Sequence, residues 1–176
     1  MKNLIITATG FDRPGIVSEI SGVITTHGGN VEESRMSRLG ADFAIIMLVS
    51  VAPDWLESLN VALQSINELT IISKPTKTQE TSEGIQCQID LSGADNEGIV
   101  KVISKYLAGK SINILEMQTH ITNAPITGTA LFNLKAITAI PESLNITEIQ
   151  SELNQISQKL GVEITVNQSE YIAEPT

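Results

Sequence analysis

The sequence predicts an α+β protein built from two tandem units, each a βαββαβ chain that forms a four-stranded antiparallel sheet with two helices on one face. Two observations support this. Short apolar runs with the two-residue period of strands alternate with stretches that have the longer period of helices. The whole pattern then recurs in the second half of the chain, which indicates an internal duplication. The predicted topology is the ferredoxin-like one, with the first and third strands in the middle of each sheet.

The first half shows each element in order. Alternation over residues 4–9 predicts a strand, and residues 16–26 carry apolar side chains on one helical face. Residues 31–39 predict a second strand that is polar on alternate positions. Residues 43–49 are apolar at every position, which predicts a central strand covered on both faces. A second helical stripe follows, and a short strand at 70–73 closes the unit.

The second half repeats the first at one constant offset. Gly10 maps to Gly93 and Gly15 to Gly98. We therefore predict a first domain over residues 1–73 and a second over 84–167, with a frayed tail at 168–176. Residues 74–83 are polar, contain a proline and lack an apolar period, which is typical of a linker.

Composition excludes several classes of function. A net charge of −9 argues against direct nucleic-acid binding, because that affinity depends on clustered lysine and arginine. One cysteine, Cys87, and two histidines, His27 and His120, give no disulfide framework and no zinc spacing. No apolar run is long enough to span a membrane, and the N-terminus lacks a signal-peptide core. We expect a cytoplasmic protein without metal or cofactor.

The stretch GFDRPGIV, residues 10–17, joins the first strand to the first helix. Asp12 is expected to cap backbone N–H groups, Pro14 fixes φ where a helix begins, and Gly15 permits close approach to the backbone. A helix N-terminus presented in this way can bind a carboxylate or a phosphate. A capped turn without any ligand would use the same residues.

Two motifs carry a resemblance to a known family. The sequence DRPGIV at residues 12–17, followed by NVEESR at 30–35, resembles an ACT domain. The doubled form, with GADFAIIMLVSV at 40–51, resembles regulators of the glycine cleavage system. The resemblance implies a sensor of small molecules, most often amino acids, which bind after the first strand where two such domains meet.

The same resemblance implies which residues bind the ligand. In the first unit they are Asp12, Arg13, Pro14, Gly15, Ile16, Asn30 and Val31. A possible second site would comprise Asp95, Asn96, Gly98, Ile99, Asn113 and Ile114. Glu97 replaces the proline of the motif and places a carboxylate where the ligand's carboxylate would lie. We therefore expect the second turn to differ in its ligand.

The resemblance implies a non-catalytic regulatory homodimer that senses a small amino acid such as glycine or serine. It would control glycine cleavage or one-carbon metabolism through a partner protein. An alternative is a detached regulatory subunit of an amino-acid biosynthetic or folate-linked enzyme. An enzyme in its own right would need a catalytic constellation that the sequence lacks. An RNA-binding sheet would need exposed aromatic residues and a basic surface.

Overall fold

The computed structural model describes residues 1–77, 84–124 and 128–168. The chain divides into two compact units, Met1–Glu80 and Thr81–Thr176. The first contains β1 (Lys2–Phe11), α1 (Ile16–Thr26), β2 (Asn30–Leu39), β3 (Asp42–Val51), α2 (Leu56–Gln64) and β4 (Leu69–Thr76). The second contains β5 (Ile85–Ala94), α3 (Ile99–Gly109), β6 (Asn113–Asn123), β7 (Ala130–Ile140), α4 (Ile146–Leu160) and β8 (Val162–Gln168). The predicted βαββαβ order is confirmed in both.

Each unit has one four-stranded antiparallel sheet. The strand orders are β2-β3-β1-β4 and β6-β7-β5-β8, so the first and third strands of each unit are central, as predicted. Both helices of a unit pack on the same face of its sheet. The core of the first unit consists of Leu4, Ile6, Ala8, Ile16, Ile20, Ile24, Ile45, Met47, Val49, Val51, Leu59, Leu63 and Ile66. The second core is built in the same way and includes Cys87, Ile89, Leu91, Ile103, Leu107, Leu134 and Leu153.

The last strand of the first unit is longer than the sequence suggested. β4 extends to Thr76, so Lys74 and Pro75 belong to the sheet rather than to the predicted linker. Pro75 is tolerated because β4 is an edge strand, where a missing N–H need not cost a ladder hydrogen bond. β8 likewise includes Gln168. Residues 78–83 of the predicted linker and 169–176 of the predicted tail lie outside the described residues.

β3 is central, but only one of its faces is covered within the described chain. Ile45 and Met47 are buried against the helices, whereas Ile46, on the opposite face, is 46% exposed. The expectation that both faces of this strand would be covered is therefore not met by the first unit itself. We call the face of this sheet opposite the helices its open face.

The residue before the last strand adopts a left-handed backbone in both units. Gly161 has φ 67° and Glu68 has φ 65°. The left-handed conformation is sterically costly for a residue with a Cβ. Glu68 therefore strains the backbone of the first unit, whereas Gly161 adopts the same conformation in the second unit without strain. Glu68 also lies 3.3 Å from Arg13, an ion pair open to water that contributes little.

Replacing Glu68 by glycine is therefore expected to stabilise the first unit by about 1 kcal/mol, because relief of backbone strain outweighs the lost ion pair. Urea unfolding followed by the fluorescence of Trp55, the single tryptophan, measures this unit selectively. Glu68→Gln keeps the strain and removes the charge, so it should change stability little. A Glu68→Gly variant less stable than the wild type would show that the ion pair matters more than the strain.

Candidate functional site

The turn between β1 and α1 holds the helix N-terminus in an open position. The N–H of Asp12 donates to the carbonyl of Ala41 at 2.9 Å, which ties the turn to the β2–β3 hairpin. Gly15 is the N-cap residue of α1 and has φ 92°, a left-handed conformation that favours glycine. A Cβ built on Gly15 would meet no atom within 4 Å. The space above the first turn of the helix is therefore free.

The first turn of α1 leaves its N–H groups without a side-chain cap. The first intrahelical bond runs from the N–H of Glu19 to the carbonyl of Gly15 at 2.8 Å, so the N–H groups of Ile16, Val17 and Ser18 precede it. The expectation that Asp12 caps this helix is wrong. Gly15 occupies the N-cap position, and the Asp12 carboxylate instead lies 3.8 Å from Nη1 of Arg38.

A pocket of about 390 Å³ opens at this turn. It is lined by Asp12, Arg13, Gly15, Ile16, Val17, Ser18 and Phe43. The pocket combines three kinds of group: a carboxylate, backbone donors at the positive end of a helix dipole, and apolar side chains. Such a combination can bind a small molecule that carries an anionic group, a cationic group and a short apolar part.

Arg13 lines the pocket, but its charge is already paired. Its Nη2 donates to Oε2 of Glu19 at 2.6 Å, and its Nε lies 3.3 Å from Oε2 of Glu68. The hydrogen bond to Glu19 raises the pKa of Arg13, and both carboxylates add to the effect. Arg13 therefore braces the turn against α1 and the approach to β4.

The charges around the turn favour a ligand with an ammonium group. Three carboxylates, Asp12, Glu19 and Glu68, surround two guanidinium groups, Arg13 and Arg38. The local balance is therefore one negative charge. A phosphate dianion would be repelled by this excess, whereas a zwitterion would place its cationic end beside it.

Asn30 and Val31 do not join this pocket within the first unit. Asn30 pairs with Ser50, which pairs in turn with Asn3 at the start of β1, whereas the turn follows Phe11 at the end of β1. Eight strand residues separate these positions, or about 26 Å. β2 and β1 run parallel, so the start of β2 necessarily lies at the far end of the sheet.

The second unit presents a related but different turn. Gly98 has φ 84° and is the N-cap of α3, again without a side-chain cap, and Ile99 is buried beneath it. Asn96 replaces Arg13 and donates its amide N–H to the carbonyl of Leu160 at 3.0 Å. The contact that holds this turn is thus a neutral hydrogen bond to the last residue of α4, and the exposed Glu97 adds a negative charge. These features disfavour an anion at the second turn.

The structure also places three further predicted residues of the second unit, and Pro14 of the first. Asp95 is exposed beside Asn96. Asn113 and Ile114 pair with Ala139 and Thr138, at the end of the sheet away from the turn. They repeat the placement of Asn30 and Val31 in the first unit. Pro14 of the first turn is exposed just before Gly15.

Sequence reasoning missed the contribution of the β2–β3 hairpin. Phe43 lines the pocket, Ala41 anchors the turn, and Arg38 approaches Asp12. A signal for these residues was present. If β1 and β3 are antiparallel neighbours, the start of β3 must lie beside the end of β1. The hairpin that connects β2 to β3 must then flank the turn between β1 and α1.

The described residues offer no sign of metal or thiol chemistry. Among residues 1–77, 84–124 and 128–168 no three histidine, cysteine, aspartate or glutamate side chains are grouped to hold a metal ion. Cys87 is 0% exposed in the core, and burial raises the pKa of its thiol, which favours the unreactive protonated form. No helix in the described part of the chain has the length and apolarity to cross a membrane.

Comparison with known proteins agrees with this architecture. The ACT domain family model matches residues 2–72. The glycine cleavage system transcriptional repressor of Escherichia coli K12 is 23% identical over 172 residues, which cover 96% of this chain and 90% of the repressor. A crystal structure of an unknown protein from Galdieria sulphuraria superposes with a TM-score of 0.79 at 30% identity, covering 96% of this chain and 98% of that one.

A further crystal structure, of a proposed glycine cleavage system transcriptional repressor, superposes with a TM-score of 0.69 at 23% identity and covers 94% of this chain and 96% of that one. Both structural matches extend over the two units, as does the sequence match to the repressor. The chain therefore belongs to the ACT-domain proteins, as a tandem of two ferredoxin-like ACT domains that resembles the glycine cleavage system transcriptional repressor.

Proposed function

We propose that this protein is a non-catalytic regulator that senses a small amino acid, such as glycine or serine, at the turn between β1 and α1. The observation that carries the proposal is the open pocket in which the uncapped N-terminus of α1 lies next to Asp12. The resemblance to a repressor of glycine cleavage supports a role in controlling that pathway or one-carbon metabolism.

The ligand's carboxylate is assigned to the start of α1. The N–H groups of Ile16, Val17 and Ser18 precede the first helical hydrogen bond and point out of the helix end. Together with the helix dipole they provide a seat for one negative charge. Gly15 leaves room for the carboxylate because it has no side chain above them.

The ligand's ammonium is assigned to Asp12, and its side chain to the apolar wall. Asp12 lines the pocket, and its nearest cation, an Nη1 of Arg38, is 3.8 Å away, so the carboxylate retains capacity to accept hydrogen bonds. Phe43 and Val17 bound the remaining space and favour a ligand with a short side chain.

Affinity is expected to be modest. Glycine has about five heavy atoms, and at no more than about −1.5 kcal/mol per atom its binding free energy cannot exceed about −7 kcal/mol. Dissociation constants from micromolar to millimolar follow. This range suits the sensing of a metabolite whose concentration varies around such values.

Regulation is assigned to a partner protein rather than to direct DNA binding. The chain carries a net charge of −9, which opposes contact with a polyanion. A ligand can change the partner's affinity only if it binds two states of this protein with different strength. Capture of partners from cell extract with and without the effective amino acid separates a transcriptional regulator from an enzyme as the target.

Thermal unfolding in the presence of small ligands tests the sensor proposal. Glycine or serine at ten times its dissociation constant should stabilise the folded chain by about 1.4 kcal/mol. Acetate and glycinamide, which lack the ammonium and the carboxylate respectively, should have no comparable effect. Unchanged melting across the natural amino acids at 10 mM, roughly ten times the weakest expected dissociation constant, would contradict the proposal.

Asp12→Asn is expected to raise the dissociation constant for glycine or serine at least tenfold, because the ligand's ammonium loses its charged partner. The stabilisation by either amino acid at a fixed concentration should fall accordingly. Asp95→Asn makes the same change at the matching position of the second unit and should leave the response intact. An equal loss in both variants would place the ligand elsewhere.

A further inference from the structure

A polar depression of about 300 Å³ opens on the second unit's sheet, on the face opposite α3 and α4. Its side chains come from all four strands and lie in two neighbouring rows of paired residues. One row is formed by Glu163, Ser92, Asn133 and His120, and the next contains the pair Asp90 and Lys135. The depression is therefore a second candidate site, in the other unit from the turn between β1 and α1.

The first unit shows that the fold does not require charges at these positions. Both sheets have the same strand order, so strand pairing gives each of the six residues a counterpart. The counterparts are all uncharged: Thr70, Thr9, Ala44, Ser37, Thr7 and Ile46. Polar side chains alone are ordinary on a sheet face in water, so the arrangement of the charges must decide whether a ligand fits.

The charged groups of the depression do not neutralise one another. Asp90 and Lys135 are directly opposite on β5 and β7, where opposite charges commonly pair. The Asp90 carboxylate instead accepts a hydrogen bond from Nε2 of Gln88 at 2.7 Å. Within the described chain, Lys135, Glu163 and His120 make no hydrogen bond or ion pair. Their charges and ring nitrogens are therefore available to a ligand.

The charges are also separated by sign across the sheet. Lys135 and His120 lie on β7 and β6, whereas the carboxylates of Asp90 and Glu163 lie on β5 and β8. A ligand that complements this arrangement carries an anionic group at one end and a cationic group at the other.

Neutral hydrogen-bonding groups lie between the two ends and are held in place. Oγ of Ser92 donates to Oδ1 of Asn133 at 2.9 Å. Nδ2 of Asn133 donates in turn to Oγ1 of Thr122 at 3.0 Å and to the carbonyl of Leu131 at 3.2 Å. These bonds use the donors of Ser92 and Asn133 and leave oxygen lone pairs free to accept an N–H group. The hydroxyl of Thr165, which also lines the depression, can donate to a carbonyl.

The distance between the two ends sets the length of the ligand. Lys135 and Glu163 are two strands and one row apart, which is about 12 Å between their backbone positions. A charge-assisted hydrogen bond of about 3 Å at each end leaves about 6 Å between the two charges of the ligand. Two linked amino acids span about 6 to 7 Å, whereas a single one spans only about 3 Å.

We propose that this depression binds an extended zwitterion of the length of a dipeptide. The ligand's carboxylate contacts Lys135, and its ammonium lies beside Asp90 and Glu163. Its peptide N–H donates to Ser92, and its carbonyl accepts from Thr165. The site is open to water, so a dissociation constant on the order of 1 mM is expected. This site is independent of the amino-acid site proposed for the first unit.

Titration of the ¹⁵N-labelled full chain with glycylglycine, up to about 20 mM at neutral pH, tests the proposal. The backbone amides of Asp90, Ser92 and Lys135 should shift progressively and saturate. Acetylglycylglycine lacks the ammonium and glycylglycinamide lacks the carboxylate, so each should bind at least tenfold more weakly. Glycine is too short to reach both ends and should leave these amides in place.

Two substitutions at exposed positions test the assigned contacts. Lys135→Gln should weaken the binding of glycylglycine at least tenfold, because the carboxylate loses its charged partner. Glu163→Gln should weaken it at least threefold, since Asp90 remains beside the ammonium. Lys105→Gln is the matched control: it removes an equal charge from α3, on the other side of the sheet, and should bind like the wild type.

The absence of a saturable shift with glycylglycine would overturn the proposal. Equal binding of acetylglycylglycine, or binding of wild-type strength in both Lys135→Gln and Glu163→Gln, would overturn it as well. None of these results would affect the proposed function, because glycine and serine are followed there through the amides at the start of α1, in the other unit.

Discussion

Gly10→Ala is expected to destabilise the first unit by about 3 kcal/mol, because the added methyl group has no space. A Cβ at Gly10 would lie 2.4 Å from the carbonyl oxygen of Glu68 and 2.7 Å from a methyl group of Leu69. The first contact is with backbone, which can move only if β4 shifts away from β1. Urea unfolding followed by Trp55 fluorescence measures the loss in this unit.

Gly22→Ala is the matched control for this substitution. Gly22 lies within α1 of the same unit, and a Cβ there would meet no atom within 4 Å. Alanine favours a helix over glycine by about 1 kcal/mol, so Gly22→Ala should stabilise the unit. If both variants lowered stability alike, the close approach of β1 and β4 would not explain the glycine at position 10.

Gly15→Ala is expected to abolish the response to the amino acid, with a loss of at least tenfold in affinity. The new methyl group would project into the space above the first turn of α1, where the ligand's carboxylate is proposed to lie. The left-handed backbone at φ 92° adds a cost of about 1 kcal/mol in stability. Calorimetric titration at a temperature well below the melting midpoint separates binding from folding.

Gly98→Ala provides the control, because Gly98 has the same backbone conformation at the second turn, to which no ligand is assigned. Gly98 has φ 84°, and a Cβ there meets no atom within 4 Å, so the stability cost should be similar. The amino-acid response should remain. A loss of binding in Gly98→Ala that equals the loss in Gly15→Ala would contradict assignment of the ligand to the first turn.

The topology of both sheets was predictable because strand and helix periods in each unit agree with a single right-handed arrangement. The apolar face predicted for residues 16–26 is also confirmed, since Ile20 and Ile24 are buried and apolar periodicity reports burial directly. The extent of β4 was less accessible. A proline such as Pro75 predicts a linker when only the neighbouring sequence is considered. The strand accepts this proline because β4 lies at the edge of the sheet.

The site was predictable as a turn but not as a set of contacts. Residues 12–16 are contiguous in sequence, so their proximity could be predicted without knowledge of the fold. Asn30 and Val31 were grouped with them through resemblance, although a parallel β1 and β2 put these residues at opposite ends of the sheet. The pairing of Arg13 with Glu19 and Glu68 depends on side-chain reach across three elements, which sequence spacing does not reveal.

Titration of the ¹⁵N-labelled protein with glycine or serine, followed by the backbone amide resonances, tests the sensor assignment most directly. Binding at the first turn predicts that the amides of Ile16, Val17 and Ser18 shift progressively and saturate, while those at the start of α3 remain in place. Unmoved amides at the start of α1 with saturating amino acid, or shifts confined to the second unit, would contradict it.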